Sequence, residues 1–200
     1  MSERLLIINS AEPDDFRFTD PLQQILSVCK ISEELHHWTE FKGIEQIDEY
    51  EGVIISASPR GDNDNFDERL SAFRWLKTFK KPVFGICAGH QLTAVTFGSR
   101  LIKDVEAEEG KVKVRILKED PIFLGMKEEL DTEQHHNDSV SLPLDFDLLA
   151  SSEKCTVQAV KHNSFPIYTV QWHAEQSNPE MVLNFVRIVL GEHWAVSSRP

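Results

Sequence analysis

A cysteine lies between two glycines in Gly85-Ile86-Cys87-Ala88-Gly89-His90-Gln91, after the apolar run Pro82-Val83-Phe84. The G-x-C-x-G spacing at a strand-to-helix turn is that of a nucleophile elbow. Small flanking residues let the backbone turn sharply without Cβ clashes, which lifts the sulfur clear of the sheet. The sulfur then sits at the N-terminus of the next helix, whose dipole favours a thiolate. The Ala88 N–H points to where an anion would form beside it. A buried cysteine at a tight turn is the rival reading, so the presence of a base decides. Of eight histidines, His173 stands out, in Gln171-Trp172-His173-Ala174-Glu175 just past the apolar run Ile167 to Gln171. If the backbone stays extended there, His173 and Glu175 project to one side, and the carboxylate orients the ring. The chemistry expected is acyl transfer to a thiol by a Cys-His-Glu triad.

Both segments must lie at the carboxyl ends of strands, where open α/β sheets bind ligands. The chain supplies such strands as short apolar runs: Arg4 to Asn9, Gly52 to Ser56, Pro82 to Ile86, Leu148 to Ala150, Val157 to Val160 and Ile167 to Gln171. A weaker strand is expected near Glu34 to His37, and β-type alternation runs through Leu101 to Leu117. Helical spacing follows Asp20-Pro21, with Asp20 as cap and Leu22, Ile25, Leu26 and Cys29 inward. It recurs between Asp64 and Lys80, from His90 to Phe97 before Gly98, and from Met181 to Leu190 before Gly191. Ile44 to Tyr50 reads as a short helix or turn. This alternation predicts a single domain over 1-200, an α/β fold with an open, mostly parallel central sheet and helices on both faces.

A formal charge of −12 over 200 residues argues against nucleic acid as a partner. There is no apolar run long enough for a membrane span and no signal-peptide pattern, so a cytoplasmic location is expected. Cys29, Cys87 and Cys155 are odd in number and far apart, which suggests reduced thiols.

The segments Pro82 to Gln91 and Tyr168 to Glu175 together resemble the class I (triad) glutamine amidotransferases, whose elbow reads G-[IV]-C-x-G-x-Q and whose late segment reads G-V-Q-[FW]-H-P-E. Val53 to Pro59 is similar to the family's S-G-G-P loop, and His136 to Pro143 to its H-x-D-x-V-x-x-L-P stretch. Ala150 to Ala159 is similar to the segment before its last strand. The resemblance covers roughly Gly52 to the final helix. It implies the flavodoxin-like fold of that family and hydrolysis of the glutamine side-chain amide through a cysteine thioester. Cys87 would be the nucleophile, His173 the base and then acid, and Glu175 its orienting partner. Ser58 and Ala88 would supply oxyanion N–H groups, while Gln91, His136 and Asp138 would contact substrate. No cofactor or metal is implied.

Several positions depart from the pattern. Ser56-Ala57-Ser58-Pro59 carries side chains where glycines are usual, which predicts a stiffer oxyanion loop and low resting activity. Ala174 replaces a proline and Trp172 a phenylalanine. His135 stands where relatives have a small polar residue. His135-His136 lacks helical ligand spacing and any evident third ligand, so a pocket or structural role is expected. His36-His37, Phe66 and Phe73 are read as surface or packing residues, Cys29 and Cys155 as structural, and Trp75, off the stripe, as packed or exposed. With no second domain, ammonia would pass to a partner synthase. Phe146 to Cys155 and Lys161 to Tyr168 look most like the separate glutaminase part of GMP synthase, although Asn9 to Phe16 lacks its glycine–glutamine signature. A γ-glutamyl hydrolase of the same fold and a silent regulatory module are the alternatives.

Overall fold

Branched apolar residues dominate the shortest strands, and they are buried on both faces, as a covered parallel sheet requires. The computed structural model describes residues 3–41, 46–59, 66–103 and 105–192. In chain order the strands and helices are β1 (Arg4–Asn9), α1 (Asp20–Leu26), β2 (Ser32–His37), β3 (Gly52–Ile55), α2 (Phe66–Ala72), β4 (Val83–Ile86), α3 (Ala88–Thr96), β5 (Leu101–Ile102), β6 (Glu108–Ile116), β7 (Glu129–His136), β8 (Ser139–Val140), β9 (Phe146–Ser151), β10 (Ala159–His162), β11 (Ile167–Val170), α4 (Ala174–Ser177) and α5 (Pro179–Val189). Nine strands form one sheet in the order β2-β1-β3-β4-β11-β10-β9-β6-β7, and β5 pairs with β8 in a small second sheet. The first five of the nine run parallel; β10, β9, β6 and β7 extend them antiparallel.

Side chains alternate between two cores. Leu5 and Ile7 pack with Leu22, Leu26, Met181 and Phe185 on one face, whereas Leu6 and Ile8 pack with Phe73, Phe79 and Leu92 on the other. The helices therefore cover both faces, as the strand and helix alternation predicts. Among the described residues no helix is long and apolar enough to cross a membrane.

Several local expectations change. Thr19, not Asp20, occupies the cap of α1, and Cys29 falls beyond the helix end, partly buried against the core. The stretch after residue 65 divides into α2 and a 3-10 turn, Arg74–Lys77. Trp75 in that turn is buried, its ring edge-on to Phe79 at 5.5 Å. Part of the expected element at Ile44 to Tyr50 lies outside the described residues. Strand β7 is additional to those the sequence patterns predict. Its inward side chains are Leu130, Thr132, Gln134 and His136, so a mostly polar row hides the apolar alternation that marks a half-buried strand.

Candidate active site

The elbow is built by close approach. A Cβ on Gly85 would come within 2.7 Å of the Gly89 carbonyl oxygen, and one on Gly89 within 2.4 Å of the Ile55 oxygen. With both positions bare, α3 starts directly off β4 and the turn falls on Cys87, at φ 50° and ψ −102°. It is the only described non-glycine residue with positive φ. Such a conformation costs on the order of 1–3 kcal/mol and persists where surrounding contacts impose it. Here the Cys87 N–H donates to the Val170 carbonyl (2.8 Å), and the Cys87 carbonyl accepts from the Gln91 N–H (3.1 Å).

Strands β11 and β4 are hydrogen-bonded neighbours, so His173, three residues past Val170, reaches the same sheet edge as the sulfur. The pair with Glu175 forms, with Nδ1 2.9 Å from Oε1, but not on extended backbone. His173 caps the short helix α4, and its own N–H donates to the Glu133 carbonyl (2.9 Å) on β7. The histidine ring lies between two others: Phe18 stacks on it with centroids 5.2 Å apart, and the His135 ring is 5.6 Å away. Burial alone would push the imidazole pKa down, but hydrogen bonds to Cys87 and Glu175 outweigh it and lift it to about 10. A protonated ring beside the sulfur favours a nucleophilic thiolate and is ready to give a proton to a leaving amine. Sequence reasoning does not find Phe18, because an aromatic residue in a loop carries no periodic signal.

The other expected residues gather nearby. Ala88 opens α3. Ser58 follows β3, whose Ile55 pairs with Gly85 of β4. Its loop is tied down: the Ser56 hydroxyl accepts from the Ser10 N–H (3.0 Å) and donates to the Ala57 carbonyl (2.9 Å). Ser58 also lines a cleft of about 310 Å³ at the ends of β1, β2 and β3, together with Ser10, Ala11, His37, Trp38 and Arg69. Gln91 is fully buried, its Nε2 donating to the Gln171 Oε1 (3.3 Å) and the Asp138 carbonyl (3.4 Å), while its Oε1 has no hydrogen-bond partner among the described residues.

His136 and Asp138 lie in the interior behind the elbow, where the His136 Nδ1 donates to the Asp138 carbonyl (3.0 Å). The His136 Nε2 is 3.2 Å from Glu108 Oε2. Cys155 completes this group, the three ligand-type atoms lying within 4.8 Å of one another. Tertiary packing thus supplies the third ligand that adjacent histidines lacked. The donors are nevertheless engaged. Glu108 accepts from Ser152 Oγ (2.5 Å) and Gln158 Nε2 (2.6 Å), and the Cys155 thiol faces the Val157 carbonyl (3.7 Å). Burial opposes the charge on Glu108, yet hydrogen bonds from His136 and Ser152 hold its pKa below the usual range. Burial, with the Glu108 charge, pushes the Cys155 thiol up to about 12. A carboxylate, a paired imidazole and a neutral thiol form a network that is satisfied without an ion.

A second buried histidine sets an acid limit on stability. His90, on α3, has Nδ1 2.7 Å from Thr169 Oγ1, and burial followed by the nearby His136 charge drives its pKa down to about 3. The unfolded chain takes up this proton near pH 6.5 and the folded protein does not, so stability falls as pH drops below 6.5. His173, with its raised pKa, contributes its full share throughout that window and does not cancel the loss. Urea unfolding at pH 5 is expected to show about 2 kcal/mol less stability from His90 than at pH 7. His90→Gln is expected to flatten that dependence; an equally steep profile would refute the assignment.

The chain matches the family model described as glutamine amidotransferase class-I over residues 13–187. It is 37% identical over 142 residues to the glutamine-hydrolyzing component of the two-part GMP synthase of Pyrococcus abyssi, spanning 68% of this chain and 74% of that protein. To the protein of the same name from Archaeoglobus fulgidus it is 35% identical over 150 residues, covering 72% and 79%. Among solved structures, a Thermoplasma acidophilum protein assigned to the same GMP synthase component superposes with a TM-score of 0.85 at 25% identity, over 96% of each chain.

Proposed function

The chain belongs to the class-I glutamine amidotransferase family, and we propose that it hydrolyses the side-chain amide of glutamine with Cys87, His173 and Glu175 as its catalytic residues. The Cys87 sulfur attacks the amide carbon, and the oxygen that becomes anionic is met by the backbone N–H groups of Ala88 and Ser58. His173, held protonated between the sulfur and Glu175, gives its proton to the departing nitrogen, and ammonia leaves. The neutral imidazole then takes a proton from water, which attacks the γ-glutamyl thioester and releases glutamate. The thiolate and the imidazolium are restored. The observation that carries this reading is the strained, positive-φ Cys87 next to a buried His173–Glu175 pair that favours the charged ring. Gln91 Oε1, buried and with no partner among the described residues, is the acceptor for a polar group of the substrate. His136 and Asp138 act behind it, through the Asp138 carbonyl that holds Gln91.

The chain works as one domain, in the cytoplasm, and its ammonia passes to a separate synthase chain. The relatives named as one component of GMP synthase support that partner. The Ser56 tether on the Ala57 carbonyl supports a resting oxyanion loop that the partner must rearrange. Glutamate release from glutamine is therefore expected to be slow for the purified chain and several-fold faster once a GMP-synthase-type synthetase chain is added. Absence of glutamate under both conditions would exclude the glutaminase reading. A fast chain indifferent to the synthetase would exclude the partner.

A further inference from the structure

We propose that Gln171 is a further catalytic residue, whose side-chain amide donates a hydrogen bond to the Cys87 sulfur in an orientation imposed by buried partners. This rests on the reading of Cys87 as the nucleophile. Gln171 follows β11 directly and is fully buried; its backbone N–H donates to the Gln158 carbonyl (2.8 Å). Its Nε2 lies 3.7 Å from the Cys87 Sγ.

A glutamine amide has two orientations, and hydrogen-bond chemistry selects one here. The Asp138 backbone oxygen can only accept. It takes one bond from His136 Nδ1 (3.0 Å) and one from Gln91 (3.4 Å), so the amino group of Gln91 must face it. The second hydrogen of that amino group points at Gln171 (3.3 Å), which must answer with an oxygen. The amino group of Gln171 is left facing the sulfur. Behind His136 stands the buried Glu108, 3.2 Å from Nε2, which keeps the Nδ1 proton directed at Asp138. The brace formed by β6 and β7 thus reaches the nucleophile through Asp138, Gln91 and Gln171.

A donor fixed on sulfur favours the anion over the thiol, and it does so most strongly where water is excluded. Cys87 is 3% exposed. On one side the ring of His173 supplies charge; Gln171 supplies a donor that cannot lose its proton or rotate away. It therefore stabilises the attacking thiolate and the thiolate released when the thioester is hydrolysed.

The test is iodoacetamide alkylation of Cys87 in the intact chain, followed by mass spectrometry between neutral and alkaline pH. Gln171→Glu keeps the shape and puts a second acceptor by the sulfur, and Gln171→Met keeps the length with no donor. At neutral pH the Met variant is expected to be alkylated about tenfold to a hundredfold more slowly than the parent, and the Glu variant more slowly still. The rates should converge at alkaline pH, where the thiol ionises without help. The kcat for glutamine should fall in parallel, with little change in KM. A merely structural role would lower alkylation equally at every pH, or shift only the unfolding midpoint, and either result overturns the proposal. So does an unchanged profile in the Glu variant, whose shape the site already accepts. If Cys87→Ser still hydrolyses glutamine, the nucleophile reading itself is wrong. If Cys87→Ser is inactive while both Gln171 variants behave as the parent, only Gln171 is wrong.

Discussion

Cys87→Ser is expected to lower glutamine hydrolysis by at least about a thousandfold, with no covalent γ-glutamyl adduct detectable by mass spectrometry. The change replaces one atom. It leaves the glycines that make the elbow, the Val170 and Gln91 backbone contacts and the His173–Glu175 pair untouched. Serine also tolerates the φ of 50° no worse than cysteine does. What disappears is a thiol that ionises easily. A protonated His173 stabilises an anionic sulfur beside it, but a hydroxyl would stay protonated, and the imidazolium has no free lone pair with which to activate it. A near-parental unfolding midpoint with activity gone is the expected pair of results. Retention of a tenth of the parental rate would remove Cys87 from the mechanism.

Gly89→Ala is expected to destabilise the fold by more than about 3 kcal/mol, or to prevent soluble expression. Two rules predict opposite signs for this substitution. Gly89 lies within α3, where alanine is intrinsically better than glycine by about 1 kcal/mol. The new Cβ would, however, stand 2.4 Å from the Ile55 carbonyl oxygen and 3.0 Å from its Cβ. That oxygen belongs to a central strand paired with Ile8 on one side and Gly85 on the other, so it cannot retreat. The helix would have to lift off the sheet, taking Cys87 with it. Urea denaturation read against the parent decides the sign, and a more stable variant would show that α3 does not need this contact.

Much of the architecture follows from short-range patterns. Arg4–Asn9, Gly52–Ile55 and Val83–Ile86 are runs whose burial on both faces leaves them no alternative to a covered sheet. The two glycines around Cys87 announce an elbow because their bareness is a backbone requirement, and Gly98 and Gly191 sit past their helices at positive φ. His173 and Glu175 are legible as a pair from their spacing, although extended backbone does not join them. A short helix after His173 brings them together instead.

The remainder depended on closure of the sheet. A strand whose inward row is Thr132, Gln134 and His136 has no hydrophobic period, and only its eight-residue register with β6 reveals it. That register sets Glu108 opposite His136, and the turn after β9 brings Cys155 to them; no spacing along the chain encodes either meeting. Phe18 on His173, Trp75 in the core and Gln171 on the sulfur share the same origin. Local sequence determines which backbone conformations and which buried faces are favourable, because these energies act over a few residues. Which polar side chains meet, and which way their protons point, depends on contacts between residues dozens of positions apart. The sequence alone therefore determined the strands, the elbow and the identity of the reactive groups. The tertiary structure decided the charge on His173 and the hydrogen-bonded chain behind Cys87, since both arise from partners that only folding assembles.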